Sequence, residues 1–131
     1  MFPFPLLSMA TYFYGHQHRS LVTTLRAAEL FEPSHLSSPE VKAYIDKATH
    51  FYIEGFFVTH GLESALIIAK QAAHAGKSVT VNLSAPFLVQ HFKVQMEELL
   101  PYADVVIGNE SEAAAWAAAN GSDTVRYLSN P

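Results

Sequence analysis

Along the chain, segments with apolar residues at helical spacing alternate with short apolar runs typical of strands. This pattern predicts short strands alternating with helices. Apolar residues recur at Leu21, Val22, Leu25 and Ala28, and this spacing predicts a helix over residues 20–30. Further helices are predicted over residues 39–48, 62–75, 86–100 (with a break near His91) and 110–120. Strands are predicted over residues 51–53, 78–83, 105–107 and 125–128.

Turn and capping residues support several of these boundaries. Ser37 and Glu40 have the spacing of a capping box, and Pro39 suits the first turn of a helix. Gly76 and Gly121 each follow a helical pattern and predict its end.

The alternation of strands and helices predicts an α/β fold. We expect a three-layer arrangement, with a mostly parallel sheet and helices on both of its faces. Residues 1–18 are rich in aromatic residues and interrupted by prolines, so they form an unassigned N-terminal segment. Residues 19–131 form the predicted domain.

Composition narrows the classes of function. Half of the 131 residues are hydrophobic, which is enough for one packed core. The formal net charge is -4 and the eight basic residues form no stripe, so a nucleic acid is not an expected partner. The chain has no cysteine, which excludes disulfides and thiolate metal sites. The apolar opening residues 1–10 contain prolines and lack a positive start, so we expect neither a signal peptide nor a membrane span.

The pair Asn109-x-x-Glu112 opens the helix that follows the strand over residues 105–107. The spacing is that of a capping box, which is the simpler interpretation. The same geometry suits a phosphate site, because a helix N-terminus attracts anions and a carboxylate can hold Mg²⁺ through water. Both interpretations are compatible.

The segment 82–87 follows another predicted strand. Asn82 ends that strand, so its amide is expected at the same crevice as Asn109, at the carboxyl ends of parallel strands. Phe87 most simply fills the core, but an aromatic ring at this place can also stack on a purine base.

Two further segments carry candidate site residues. Gly55 allows a sharp turn or a close backbone approach before Phe56 and Phe57. One of the two rings is expected in the core and the other at the crevice. Arg19 lies at the start of the helix predicted over residues 20–30, where a cation does not suit the helix dipole, so it either meets an external anion or is simply solvated.

Taken in order, these segments resemble the adenosine kinases of the ribokinase (pfkB) family of sugar and nucleoside kinases. The segments that carry the resemblance are residues 19–21, 52–57, 82–87, 100–104 and 108–114. Within them, the runs Asn-Leu-Ser-Ala-Pro-Phe and Gly-Asn-Glu-x-Glu-Ala are the most specific. The chain contains no G-x-x-x-x-G-K-[ST] or G-x-G-x-x-G motif. The resemblance implies a partial ribokinase-like fold, with residues 19–131 as the central part of the kinase domain.

The resemblance also implies an activity and its residues. The expected reaction is transfer of the γ-phosphoryl group of ATP to the 5′-hydroxyl of adenosine, giving AMP in purine salvage. Phe56 and Phe87 would sandwich or border the adenine, and Arg19 would approach the transferred phosphoryl group. The substrate-pocket wall would include Leu21, Thr23 and Leu25, where Thr23 replaces a usually small apolar residue. The ATP phosphates and Mg²⁺ would be served by Asn82, Asn109 and Glu112, with Glu112 holding the ion through water.

The family's Asp-Thr-x-Gly-Ala-Gly-Asp segment, which carries the catalytic base, is not among these residues. We therefore expect no catalytic residue in this chain and negligible activity from it alone, because phosphoryl transfer needs several converging groups. A non-catalytic pseudokinase fragment and another ribokinase-like sugar kinase are the alternatives. The two crevice aromatics favour a purine over a sugar, which has no π-face. From the family we expect a monomer located in the cytoplasm, with the nucleus as a second site.

Overall fold

The structure is a computed structural model that describes residues 8–14, 18–24 and 26–122. In chain order, the strands are β1 (Ser8–Tyr14), β2 (His18–Thr24), β3 (His50–Glu54), β4 (Ser78–Asn82) and β5 (Val105–Ile107). The α-helices are α1 (Pro39–Lys47), α2 (Val58–His74), α3 (Pro86–His91), α4 (Lys93–Leu99) and α5 (Glu110–Ala119). Short 3₁₀ segments lie at Arg26–Leu30, Pro33–Ser37, Gly55–Phe57 and Leu100–Tyr102.

Strands β3, β4 and β5 form a parallel sheet in that order. The register pairs Glu54 with Asn82 and Asn82 with Ile107. The carboxyl ends of all three strands therefore meet at one edge of the sheet, where open α/β folds bind their ligands. A separate antiparallel hairpin is formed by β1 and β2.

The core lies on one face of this sheet. Val79 and Val81 alternate along β4 and are fully buried, as period-two burial in a strand requires. They pack with Ile53 of β3, a row of alanines on α2, and Met96 and Leu99 of α4. On the opposite face, within the described residues, Tyr52 is largely exposed. The core therefore fixes the strand ends from one side.

Helix α2 is longer than predicted and contains a kink. It begins at Val58, but Gly61 has non-helical dihedral angles (φ -126°, ψ 23°), and the regular helix starts after it. The predicted start at residue 62 matches this regular part. The predicted break near His91 is also confirmed, because α3 and α4 are separate helices on either side of Phe92.

The helix predicted over residues 20–30 is wrong. Residues up to Thr24 belong to β2, and only Arg26–Leu30 is helical, as a 3₁₀ segment. Val22, Thr23 and Thr24 are consecutive β-branched residues, which favour a strand, and pairing with β1 stabilises it. The argument that placed Arg19 at a helix N-terminus is therefore wrong as well.

The predicted capping box at Ser37 is also wrong. The N-cap of α1 is Ser38, whose Oγ accepts a hydrogen bond from Val41 N at 3.4 Å. Pro39 occupies the first helical position, so the residue directly before it must be the cap. Ser37 instead ends the preceding 3₁₀ segment.

The other strands and helices predicted within residues 39–122 agree with the structure. Strand β1 lies within the N-terminal segment that the sequence pattern left unassigned. Gly76 and Gly121 end α2 and α5 in left-handed conformations, with φ of 64° and 68°. The strand predicted over residues 125–128 lies outside the described residues. Among the helices that the structure describes, none has the length and apolar character required to span a bilayer.

Candidate nucleoside and phosphate site

The candidate site begins with an aromatic pair at the carboxyl edge of the sheet. Phe56 follows β3 and Phe87 opens α3 after β4, and their ring centroids are 5.8 Å apart at an interplanar angle of 58°. Nearly half of each residue's surface is exposed, 46% and 45% respectively. A flat molecule between two rings needs about 7 Å of separation, so this geometry suits a base that borders the pair rather than one sandwiched by it.

The two adjacent phenylalanines divide as the sequence predicts. Phe57 packs against the core and makes edge contacts with Phe31 and His60, while Phe56 points away to meet Phe87. Gly55 provides the predicted close approach, because a Cβ there would lie 2.5 Å from the carbonyl oxygen of Asn82. The chain can bring the ends of β3 and β4 this close only with glycine at this position.

Asn82 ends β4 and its amide is part of a hydrogen-bond network. Its Nδ2 donates to Tyr52 Oη at 2.7 Å, and its Oδ1 accepts from Ser84 N at 2.9 Å. One amide hydrogen and one lone pair are left for a ligand by these two bonds.

The same network includes Glu54, which sequence reasoning did not single out. Its carboxylate accepts from Tyr52 Oη at 2.9 Å and from Ser84 Oγ, and Ser84 Oγ accepts from Gly55 N at 2.8 Å. A signal was present in the sequence, because Glu54 ends β3 just as Asn82 ends β4, and the register pairs them. The link from Ser84 to β3 had no such signal, because its bonds to Gly55 N and to the Glu54 carboxylate join residues about 30 positions apart.

Asn109 and Glu112 form the capping box that their spacing predicts. Glu112 N donates to Asn109 Oδ1 at 2.9 Å, while Asn109 N and Nδ2 donate to the two Glu112 carboxylate oxygens at 3.0 and 2.9 Å. Glu112 is only 5% exposed. The carboxylate is thus held rigidly beneath the free N–H groups of the α5 N-terminus.

The amide of Asn82 and the Asn109–Glu112 pair lie at the same edge of the sheet. Asn82 ends β4, and the pair follows the neighbouring strand β5. Asn82 pairs with Ile107, and Leu83 N donates to the Ile107 carbonyl oxygen at 2.8 Å, two residues before Asn109. A Cβ on Gly108 would lie 3.0 Å from Leu83 Cδ1, so the two loops are in close contact. This arrangement agrees with the single crevice that the sequence predicts.

The candidate residues in the N-terminal part are located only by their backbone. Arg19, Leu21 and Thr23 lie on β2, where their register partners are Phe13, Thr11 and Met9. Leu25 lies outside the described residues. Their predicted contacts with substrate stay predictions.

The Glu112 carboxylate suits a metal ion that it contacts through water rather than directly. Among the described residues, no three histidine, aspartate or glutamate side chains form a direct metal site. Each Glu112 oxygen accepts one hydrogen bond from Asn109 and keeps a further lone pair. One buried carboxylate with spare lone pairs fits a contact to hydrated Mg²⁺ through water, since this ion retains much of its hydration shell.

A separate apolar cleft lies between β5 and α5. Its volume is about 470 Å³, and its lining includes Val106, Gly108 and Trp116. None of Phe56, Phe87, Asn82 and Glu54 lines it. We therefore locate the candidate site at the strand ends and not in this cleft.

Comparison with known proteins identifies the family. The family model described as pfkB family carbohydrate kinase matches residues 9–129. The chain is 57% identical over 107 residues to an adenosine kinase from Schizophyllum commune, an alignment that covers 82% of this chain and 31% of the relative.

Solved structures agree with this match. Anopheles gambiae adenosine kinase in complex with P1,P4-di(adenosine-5) tetraphosphate superposes with a TM-score of 0.83 at 45% identity, covering 89% of this chain and 35% of that one. Schistosoma mansoni adenosine kinase in complex with adenosine superposes with a TM-score of 0.76 at 40% identity, covering 79% and 30%. These neighbours confirm the predicted α/β fold class. The chain spans about a third of the length of the relatives it matches, and it belongs to the pfkB family of carbohydrate kinases.

Proposed function

We propose that this chain forms part of an adenosine kinase, which transfers the γ-phosphoryl group of ATP to the 5′-hydroxyl of adenosine and releases AMP. The observation that carries the proposal is the exposed Phe56–Phe87 pair at the carboxyl edge of the parallel sheet. Its exposed faces suit a purine base, which gains about 1–3 kcal/mol from stacking on an aromatic ring. The similarity to adenosine kinases supports the same substrate.

The remaining candidate residues are assigned to the ATP phosphates with Mg²⁺, to the transferred phosphoryl group and to the wall of the substrate pocket. Asn109 and Glu112, at the N-terminus of α5, would orient the ATP phosphates and hold hydrated Mg²⁺ through water. The spare amide hydrogen of Asn82 would donate to a phosphate oxygen. When bound, Mg²⁺ supplies charge neutralisation at the phosphates. Arg19 is proposed for the transferred phosphoryl group, and the pocket wall for Leu21, Thr23 and Leu25.

The first experiment measures nucleoside binding to the natural protein that carries this chain. Calorimetry should show adenosine binding and much weaker binding of ribose and fructose. Phe56→Leu and Phe87→Leu should each weaken adenosine binding by about fivefold or more, because a stacking surface is lost. Tyr44→Leu is the matched control, since Tyr44 is an exposed aromatic on α1, away from the strand ends.

Two outcomes would contradict the proposal. Ribose or fructose binding as tightly as adenosine would favour another sugar kinase of the family. Binding of adenosine without phosphorylation, in the presence of ATP and Mg²⁺, would favour a non-catalytic pseudokinase.

Assembly, location and pathway complete the proposal. We propose a monomer that acts in purine salvage in the cytoplasm and the nucleus. Light scattering on the purified protein measures its oligomeric state, and imaging of a tagged copy shows its location in the cell.

A further inference from the structure

We infer that Glu54 is a positioning residue that ties the ends of β3 and β4 together and thereby holds Phe56 beside Phe87. The positioning of the two rings by Glu54 does not depend on a ligand, whereas the expected effect of Glu54 on adenosine affinity rests on the proposed function. Glu54 would act through the two aromatic rings and not by touching the nucleoside.

The hydrogen bonds around Glu54 form a closed connection between two loops. One carboxylate oxygen accepts from Tyr52 Oη and the other from Ser84 Oγ. Ser84 Oγ in turn accepts from Gly55 N at 2.8 Å. The loop after β3 and the loop after β4 are therefore joined through one carboxylate and one hydroxyl.

Asn82 closes the connection from the β4 side. Its Nδ2 donates to Tyr52 Oη, the same oxygen that donates to Glu54. Its Oδ1 accepts from Ser84 N. Both Tyr52 and Ser84 are thus held by Glu54 and by Asn82, so a change at either residue is transmitted to both loops.

The backbone at Ser84 explains why this loop needs to be held. Ser84 has φ of 66°, and among the described residues it is the one non-glycine residue with a positive φ. Such a conformation is strained for a residue with a side chain and persists where surrounding contacts enforce it. Here its N–H and its hydroxyl are both engaged by the network.

The two loops carry the aromatic rings. Gly55 directly precedes Phe56, and Ser84 lies three residues before Phe87. Neither ring is buried, so core packing alone does not fix the distance of 5.8 Å between them. The network on the adjoining loops is the feature that sets this distance.

The network lies outside the core, which makes the inference testable. Tyr52, Glu54 and Asn82 alternate with the buried Ile53 and Val81 on the paired strands, and none of the three is a buried core residue. Replacing Glu54 should therefore leave the core intact. Its effect should appear in the ring geometry and in nucleoside affinity.

The test compares Glu54→Leu and Glu54→Gln in the natural protein that carries this chain. Leucine has similar size but accepts no hydrogen bond, whereas glutamine keeps one acceptor oxygen. The control is Glu97→Leu, since Glu97 on α4 forms a surface pair with Lys93, its one ion pair among the described residues. Three quantities are measured: the nuclear Overhauser effect between the Phe56 and Phe87 rings, the KM for adenosine and for ATP, and the melting temperature.

We expect Glu54→Leu to weaken the effect between the rings and to raise the adenosine KM about tenfold or more, because hydrogen bonds to a charged group are lost. The KM for ATP should change less, and Glu54→Gln should restore part of the adenosine affinity. A purely structural defect would instead lower the active fraction, and hence kcat, without changing either KM. The control should change none of these quantities.

A normal ring contact and a normal adenosine KM in Glu54→Leu would overturn the inference, even if the melting temperature fell. If Glu54→Leu fails to fold, Ser84→Gly replaces it, because glycine adopts the positive φ freely and removes only the hydroxyl link. If the unaltered protein binds no adenosine, the proposed function fails, and the ring contact alone decides whether Glu54 positions the loops.

Discussion

Single residues decide the local geometry at both ends of the candidate site. Glu112 has a buried carboxylate, and each of its two oxygens accepts a hydrogen bond from Asn109. Gly55 occupies the place where the backbones of two loops come closest. Both positions allow predictions with matched controls in the same chain.

Replacing Asn109 by alanine should lower the free energy of unfolding by about 2 kcal/mol. The change removes the N-cap of α5 and one of the two donors to the buried Glu112 carboxylate. Asn120→Ala is the control at the other end of the same helix, where an exposed amide donates to Trp116 O, and it should cost less than about 0.5 kcal/mol. Urea unfolding measures both values. Equal losses in the two variants would show that the capping box has no special weight.

Replacing Gly55 by alanine should cost about 1–3 kcal/mol and weaken adenosine binding. The added Cβ would press on the Asn82 carbonyl oxygen and push the two loops apart. Gly76→Ala tests backbone strain alone, because Gly76 has a positive φ and nothing within 4 Å of a Cβ. That variant should lose about 1 kcal/mol with unchanged affinity. An unchanged affinity in Gly55→Ala would contradict the importance of this close approach.

At the scale of the element, helix α1 has no buried residue. Contacts from outside the helix must therefore contribute to its stability. Its C-terminal carbonyl oxygens, those of Ile45 and Asp46, accept hydrogen bonds from Lys77 Nζ at 3.1 and 2.9 Å. A cation at this end also suits the helix dipole. Lys77 therefore joins α1 to the start of β4.

Lys77→Ala should selectively release α1. Amide hydrogen exchange across residues 39–47 should become faster, whereas exchange in β4 and α2 should stay slow because Lys77 is not one of the core residues. Lys42→Ala is the control, since Lys42 makes an exposed pair with Asp46 within the same helix. Equally fast exchange in β4 would mean that Lys77 supports the sheet rather than the helix.

For the whole molecule, the described residues provide the sheet edge that we propose for the nucleoside, but only part of a catalytic constellation. A polypeptide of these 131 residues, given adenosine, ATP and Mg²⁺, should show no turnover above background in a coupled assay. Phosphoryl transfer depends on a positioned base and on groups that stabilise the charge of the transferred phosphoryl group, and the family's segment for these is not in the sequence. Turnover near ordinary kinase rates would contradict this prediction and would place a base among the present residues.

The sequence by itself determined the order of β3 to α5, because burial on one face imposes periods that can be counted locally. It also determined the capping box of Asn109 and Glu112, since these hydrogen bonds join residues three positions apart. The glycine at 55 and the opposite directions of Phe56 and Phe57 were expected from the sequence, but the residues that they contact, Asn82 and Phe31, lie far away along the chain. Tertiary structure decided that β2 is a strand, because pairing with β1 stabilises a segment whose apolar spacing also fits a helix. It also decided the connection of Glu54 to Ser84 and the contact between Phe56 and Phe87. These contacts join residues about 30 positions apart, and only the parallel pairing of β3 with β4 brings them together.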